Sequence, residues 1–200
     1  MPEEKYSIQA EALMKHAVED FELVLAEVKA SDANMKILQG IRLNIQGKPR
    51  RLVDVGDLKK TSDENKIQIL VFNTDHVELL TEKIDEVNFT YEIDGQFINV
   101  NVPDPSYKQL MEVVDDLKRK TNSAMQRLTK AKSEATTRAR TAVENEFVTQ
   151  AVATAVSRKC DGYYQEHGDK IENLSLEKIK SILGSEFFEK YKTEEIEPFE

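Results

Sequence analysis

Apolar residues recur at helical spacing at the start of the chain, alternate in its middle, and return to helical spacing from residue 110 onward. Ala10, Leu13, Ala17, Phe21, Val24, Leu25 and Val28 form the first series, with Glu11, Lys15, Glu19, Glu22 and Glu27 on the other faces. Steps of three and four predict an amphipathic helix over about 4–30. Ser31-Asp32-Ala33-Asn34 interrupts it. Ile41, Leu43 and Ile45 then alternate with Arg42 and Asn44, the period of a half-buried strand. Gln46-Gly47-Lys48-Pro49 reads as a turn, and Leu52, Val53 and Val55 as a second short strand. After a polar loop at 61–65, Ile67 to Phe72 has the texture of a buried strand. Asn73-Thr74-Asp75 is placed to cap a helix running to about Val87, with Val77, Leu80 and Ile84 inward. Two strands, Phe89 to Ile93 and Phe97 to Val102, flank Asp94-Gly95, a hairpin signal.

Pro103-Asp104-Pro105 closes this mixed region. Leu110, Val114, Leu117, Thr121, Ala124, Leu128, Ala131 and Ala135 then alternate steps of four and three, the seam of a long packed helix. A further helical pattern runs from about Val143 to Ile171, with a turn expected near 136–142 although no Gly or Pro marks it. Gly162 and Gly168 leave a break in that helix open. A last short helix is expected over 176–192, ahead of a solvated acidic tail holding Glu194, Glu195, Glu197 and Glu200.

Each long helix has one apolar face that it cannot bury alone. The expected fold is α+β: a three-helix bundle with a small mixed α/β domain inserted in it. The expected boundaries are 1–32 and 104–174 for the bundle, 33–103 for the insert and 175–200 for a C-terminal helical extension. Two chain crossings join the parts, so Ser31, Asp32, Pro103, Asp104 and Pro105 are the candidate hinge. Two crossings restrain twist and permit bending.

Composition narrows the function. Charged residues make up 32% and hydrophobic ones 40%, values of a soluble, folded, helix-rich chain. No apolar run approaches the roughly 18 residues a membrane helix needs, so no membrane partner is expected. Residues 1–5 carry neither the apolar stretch of a signal peptide nor an Arg/Ser-rich presequence; an organellar protein would be in its mature form. The single cysteine, Cys160, excludes an internal disulfide and a multi-Cys zinc site, and His16, His76 and His167 lie far apart. Phosphate-loop, serine-hydrolase and zinc-protease motifs are all missing. Asp54 and Asp57, the nearest approach to a carboxylate pair, read as strand-end and turn residues. The expectation is a protein that is no enzyme, with no cofactor, metal or small-molecule substrate.

Charge supplies the positive signal. Between Lys118 and Arg140, eight cations face one acid, Glu134, a charge of +7 in a chain whose total is −9. A cationic rod on an acidic body suits a polyanion, and a structured RNA backbone in particular. Helical spacing places Arg119, Lys120, Arg127, Lys130 and Arg138 on one flank of the seam and Lys118, Lys132 and Arg140 on the other. The competing reading is a solvated face whose cations pair with acids of the first helix, such as Glu11, Glu19, Asp20, Glu22 and Glu27.

The order of parts, and residues at their joints, resembles the ribosome recycling factor family over about 5–173. The resemblance rests on Leu43-x-Ile45-x-Gly47, Leu52-x-Asp54-Val55, Ile69-Leu70-Val71-Phe72-Asn73 and Asn88-Phe89 in the middle region. It continues through Asp94-Gly95-x-x-Ile98-x-Val100-x-Val102-Pro103 and Ser106. In the long helix, Thr121-Asn122-x-Ala124-x-x-x-Leu128-x-Lys130-x-Lys132 is more similar to the mitochondrial branch than to the bacterial one. The family carries an Arg-Asn-Val-Arg-Arg run here whose arginines contact large-subunit ribosomal RNA. This chain has Thr129-Lys130-Ala131-Lys132-Ser133, so only Lys132 is a cation at an arginine position, with Arg127 and Lys130 as neighbours. Lysine offers phosphate a point charge and no bidentate fork.

The resemblance implies a two-domain, L-shaped monomeric factor of translation termination. It would bind the large ribosomal subunit and its RNA at Lys132, with Arg127 and Lys130 as neighbours; the charged flank adds Arg119, Lys120 and Arg138 to the candidate RNA-binding set. With an elongation factor G-type GTPase it would split the post-termination ribosome, in the mitochondrial matrix or, for a bacterial protein, the cytoplasm. The alternatives are a non-recycling helical adaptor and a general RNA-binding protein that kept the fold.

Overall fold

The structure is a computed structural model and describes residues 2–63 and 65–196. The chain forms two compact units, one running from Lys29 to Val113 and the other comprising the described residues before and after it.

The Lys29–Val113 unit starts with a helix, α2 (Asp32–Gln39), following α1 (Pro2–Glu27) of the other unit. This corrects the expected interruption at 31–34. Met35 and Leu38, three residues apart, point into the core with Ala33, and the segment coils to bury them. The hairpin of β1 (Arg42–Ile45) and β2 (Lys48–Arg51) turns on Gln46-Gly47, both at positive φ, so Lys48 and Pro49 belong to a strand and not to the turn. Residues 52–55, expected as a strand, make one helical turn, α3 (Leu52–Val55), burying Leu52 and Val55. That turn delivers the chain to β3 (Gly56–Lys60), a strand its polar sequence conceals.

β3 pairs with β4 (Lys66–Val71) in an antiparallel four-stranded sheet of order β3-β4-β6-β5. β5 (Thr90–Asp94) and β6 (Phe97–Asn101) are the expected hairpin, with Asp94 opposite Phe97 across Gly95-Gln96. The Asn73 side chain accepts a hydrogen bond from the Asp75 N–H (3.0 Å), capping a 3₁₀ turn that leads into α4 (Val77–Glu86). Alternation fills one sheet face: Ile67, Ile69, Val71, Ile98 and Val100 pack with Leu80 and Ile84 of α4, all fully buried.

The second unit is built from α1 (Pro2–Glu27), most of α5 (Tyr107–Glu144) and α6 (Gln150–Ile196). The first turns of α5, through Val113, belong to the α/β unit. The seam behaves as its spacing requires: Leu117, Leu128 and Ala139 are fully buried, and Ala124, Ala131, Ala135 and Ala142 nearly so. Side-chain contacts fix the directions. Asp20 and Gln9 of α1 meet Arg127 and Arg138, so α1 and α5 are antiparallel. Asp161 and Ser175 of α6 meet Lys132 and Thr121, so α5 and α6 are antiparallel too. The result is an up-down-up three-helix bundle.

Two boundaries differ from the sequence reading. α5 continues past 136–142 and ends at Glu144. There the Phe147 N–H reaches the Ala142 carbonyl (2.8 Å) and the Glu146 N–H reaches Val143 (3.0 Å), a Schellman cap with Glu146 at φ 59°. Glycine is the usual residue at this left-handed position, and its absence hid the turn. α6 passes through Gly162, Gly168 and the expected gap at 172–175 without a break; its interruption is Gly184, at φ 71° and ψ 172°. Of the acidic tail, Glu197 and Glu200 lie outside the described residues.

Candidate nucleic-acid interface

Burial of the seam divides the cations of α5 among three sides. At about 100° per residue, Lys120, Arg127 and Arg138 flank the seam toward α1, Arg119 and Lys130 point away from the bundle, and Lys118, Lys132 and Arg140 flank it toward α6. The contacts agree with this geometry. Arg127 pairs with Asp20 of α1 (2.8 Å), and Arg138 donates to the Gln9 side chain. Lys132 pairs with Asp161 of α6 (2.5 Å) and lies over the Tyr164 ring, 5.2 Å from its centre. Lys118 lies over the ring of Tyr191 at 4.9 Å.

The predicted RNA-binding set is therefore not one surface. Arg119, Lys120, Arg127, Lys130 and Arg138 share one side of α5 over about 28 Å of helix, given a rise of about 1.5 Å per residue. Lys132 stands apart on the α6 side, with only 36% of its side chain exposed. Its partners were not singled out from sequence. A carboxylate and an aromatic three residues apart on the facing helix, Asp161 and Tyr164, are the signal that could have found them.

On the exposed side, Arg119 is tied within its own helix to Asp116 (2.7 Å) and leaves 78% of its side chain in solvent. Lys130 is 79% exposed, with Glu134 at 4.0 Å. Lys120 is exposed and makes no ion pair among the described residues. Such partners hold these cations weakly, because surface pairs contribute about 0–1 kcal/mol. The α1–α5 groove beside them is apolar at its floor, with Lys120, Arg127 and Lys130 at its rim beside Asp20 and Glu134. Ala17, Phe21 and Ala124 line one cavity of about 130 Å³ with Lys120 and Arg127 at its mouth. A second, of about 240 Å³, is lined by Leu13, Arg127, Lys130, Ala131 and Glu134. Chemically the stripe offers ammonium and guanidinium groups to phosphate, without base-edge readout.

The other candidate chemistry falls differently. Asp54 is not at a strand end: it sits in α3, accepting the Arg51 N–H (3.0 Å). That bond, helped by the Arg51 guanidinium, holds its carboxyl below the usual range. Asp57 lies in β3, not in a turn. Cys160 is fully buried beside Asp161, and burial, then that carboxylate, pushes its thiol up. Among the described residues no cluster of His, Cys, Asp and Glu could hold a metal, and no helix is long and apolar enough to cross a membrane.

All five candidate hinge residues lie in the Lys29–Val113 unit. Ser31 is buried and its carbonyl accepts the Met35 N–H. Asp32 opens α2, accepts the Lys29 N–H (3.1 Å) and pairs with Lys60. The Pro103 carbonyl accepts the side-chain amide of buried Asn34 (3.0 Å), joining the two crossings, while Asp104 and Pro105 continue outside any regular element.

Known proteins are similar to this chain in sequence and fold. The pattern of the ribosome recycling factor family matches residues 21–183. The ribosome-recycling factor of Porphyromonas gingivalis is 23% identical over 177 residues, 88% of this chain and 95% of that protein. That of Chlamydia caviae is 22% identical over 116 residues, 57% of this chain, and the match spans 64% of the chlamydial protein's length. A solution structure of the ribosome recycling factor superposes with a TM-score of 0.52 at 22% identity, covering 92% of this chain and 99% of that one. That superposition establishes the shared fold, and the family pattern extends over most of the sequence: the chain belongs to the ribosome recycling factor family.

Proposed function

We propose that this chain recycles ribosomes: it binds the large subunit after termination and, with an elongation factor G-type GTPase, splits the ribosome into subunits. The supporting observation is the stripe of Arg119, Lys120, Arg127, Lys130 and Arg138 along one side of α5, in a chain of that family. Ribosomal RNA supplies the phosphates, and the bundle is the anchor. The GTPase acts on the α/β unit, whose two crossings to the bundle pass on the force, with Ser31, Asp32, Pro103, Asp104 and Pro105 as the hinge. Energy comes from the partner's GTP, and the chain works as a monomer. The 121–132 window favours the mitochondrial matrix as its place of action. The relatives described above are bacterial, and a bacterial chain would act in the cytoplasm.

One observation favours a second reading, a helical adaptor that kept the fold. Lys132, the sole cation at a family arginine position, is engaged by Asp161 and Tyr164. Co-sedimentation with purified subunits, followed by a splitting assay with the GTPase and GTP, separates the two. Large-subunit binding with GTP-dependent splitting is the expected result. A chain that sediments with neither subunit would be the adaptor, and one that binds any structured RNA equally would be a general RNA-binding protein.

A further inference from the structure

The family pattern ends at residue 183, and the chain turns at the next residue. Gly184 has φ 71° and ψ 172°, a region essentially closed to residues with a side chain. The helix resumes after it, but not along the same line. α6 runs antiparallel to α5, with Ser175 opposite Thr121, so a straight continuation would carry Tyr191 well past the level of Lys118. Tyr191 instead lies against Lys118, which places the segment after Gly184 back alongside α5 and α6.

This segment is packed. Ile179, Ile182 and Leu183 before the turn, and Phe188 and Tyr191 after it, are all at most 8% exposed. The Phe188 and Tyr191 rings stack with centres 6.1 Å apart. Its charges pair among themselves, Lys192 with Glu189 (2.7 Å) and Lys190 with Glu194 (3.8 Å). The open cleft that Tyr191 borders is lined on the α5 side by Lys118, Thr121 and Asn122. Lys118 opens the basic block and is immediately followed by Arg119 and Lys120 of the exposed stripe.

We propose that the helix after Gly184 is a built-in cover for the Lys118 flank of the basic block: its Tyr191 ring occupies that flank of α5 and withholds that cation from RNA phosphate. This inference rests on the RNA-anchoring role of α5 and adds a regulation to it. A cation over an aromatic face is attracted to the ring quadrupole, so phosphate must compete with Tyr191 for Lys118. Displacing the helix lets Lys118 neutralise one more phosphate.

The Gly184 turn allows a test in the full chain. In Gly184→Ala the dihedral of the turn is disfavoured and a continuous helix favoured, which carries Tyr191 away from Lys118 without altering either residue. Tyr191→Leu keeps an apolar side chain in place and removes only the ring, so it reports even if Gly184→Ala misfolds. Binding of each to purified large ribosomal subunits is measured across a salt series. Both variants are expected to bind about threefold or more tighter at low salt, with a slope of log affinity against log salt steeper by about one. Lys118→Ala should leave the parent chain nearly unchanged and abolish the gain in either variant. Unchanged affinity and slope in both, with the parent chain still binding, would overturn the cover. Failure of the parent chain to bind in a salt-dependent way would instead overturn the anchoring role, and the cover with it.

Discussion

The Lys132 ammonium lies 2.5 Å from the Asp161 carboxylate, across the interface between α5 and α6, and over the face of Tyr164. In sequence Lys132 belongs to the basic block; in space it belongs to the packing of two helices. Lys132→Ala is therefore expected to lower stability by about 0.5–1 kcal/mol, the range of a half-exposed pair with an aromatic neighbour. Large-subunit affinity should fall less than twofold. Asp161→Asn should act oppositely on binding, releasing Lys132 and strengthening it. Thermal unfolding and sedimentation of the two variants check both arms.

Lys120, Arg127 and Lys130 face the other way, along the rim of the α1–α5 groove. Replacing all three with alanine should weaken large-subunit binding at least tenfold and reduce the salt slope by about 2–3, nearly one for each phosphate left without its cation. Stability should change little, since only Arg127 has an interhelical ion pair, with Asp20, and it is about half exposed. An unchanged salt slope in a folded triple variant would remove the stripe from the interface.

Much of this molecule is legible in its sequence because burial imposes a period. The alternation of Ile67, Ile69 and Val71 and the four-three steps from Leu110 to Ala135 match the buried residues, except for half-buried Thr121. The misread parts have local causes. α2 is two turns long, too short for a period to establish itself, and β3 holds Asp57 and Lys59 because one face of that edge strand meets water, while Lys60 at its end pairs with Asp32. At the candidate site the charge block is plain, but the division of its cations is not. Which flank meets an acid or an aromatic ring depends on Asp161 and Tyr191, residues 29 and 73 positions from their lysine partners. Side-chain pairing across helices imposes no period on the sequence at that range; its one trace is the spacing of Asp161 and Tyr164.

Glu146 occupies the left-handed position of the cap that ends α5, at φ 59°. A side chain there costs about 1 kcal/mol relative to glycine, and glycine in turn adds freedom to the unfolded chain. Glu146→Gly is expected to stabilise the bundle by about 0.5 kcal/mol, visible as a raised unfolding midpoint. Glu146→Val should lower that midpoint, because a β-branched side chain is least tolerated at positive φ. Equal midpoints for the two would remove the strain argument.

Asp54 connects pH to the entry of β3. Its carboxylate accepts the Arg51 N–H at the start of α3 and receives the Arg51 guanidinium at 3.4 Å. These bonds favour the charged form, the backbone bond most, so the folded-state pKa lies below that of the unfolded chain. The contribution to stability is then complete above the unfolded value of about 4 and is lost as pH falls through the folded one. Asp54→Asn removes the titration and should be less stable than the parent chain at pH 7. The gap should narrow below about pH 4 and close as the parent carboxyl protonates. Urea unfolding of both chains from neutral pH down to about pH 3 measures it, and a gap that stays constant over that range would rule out the ionised cap.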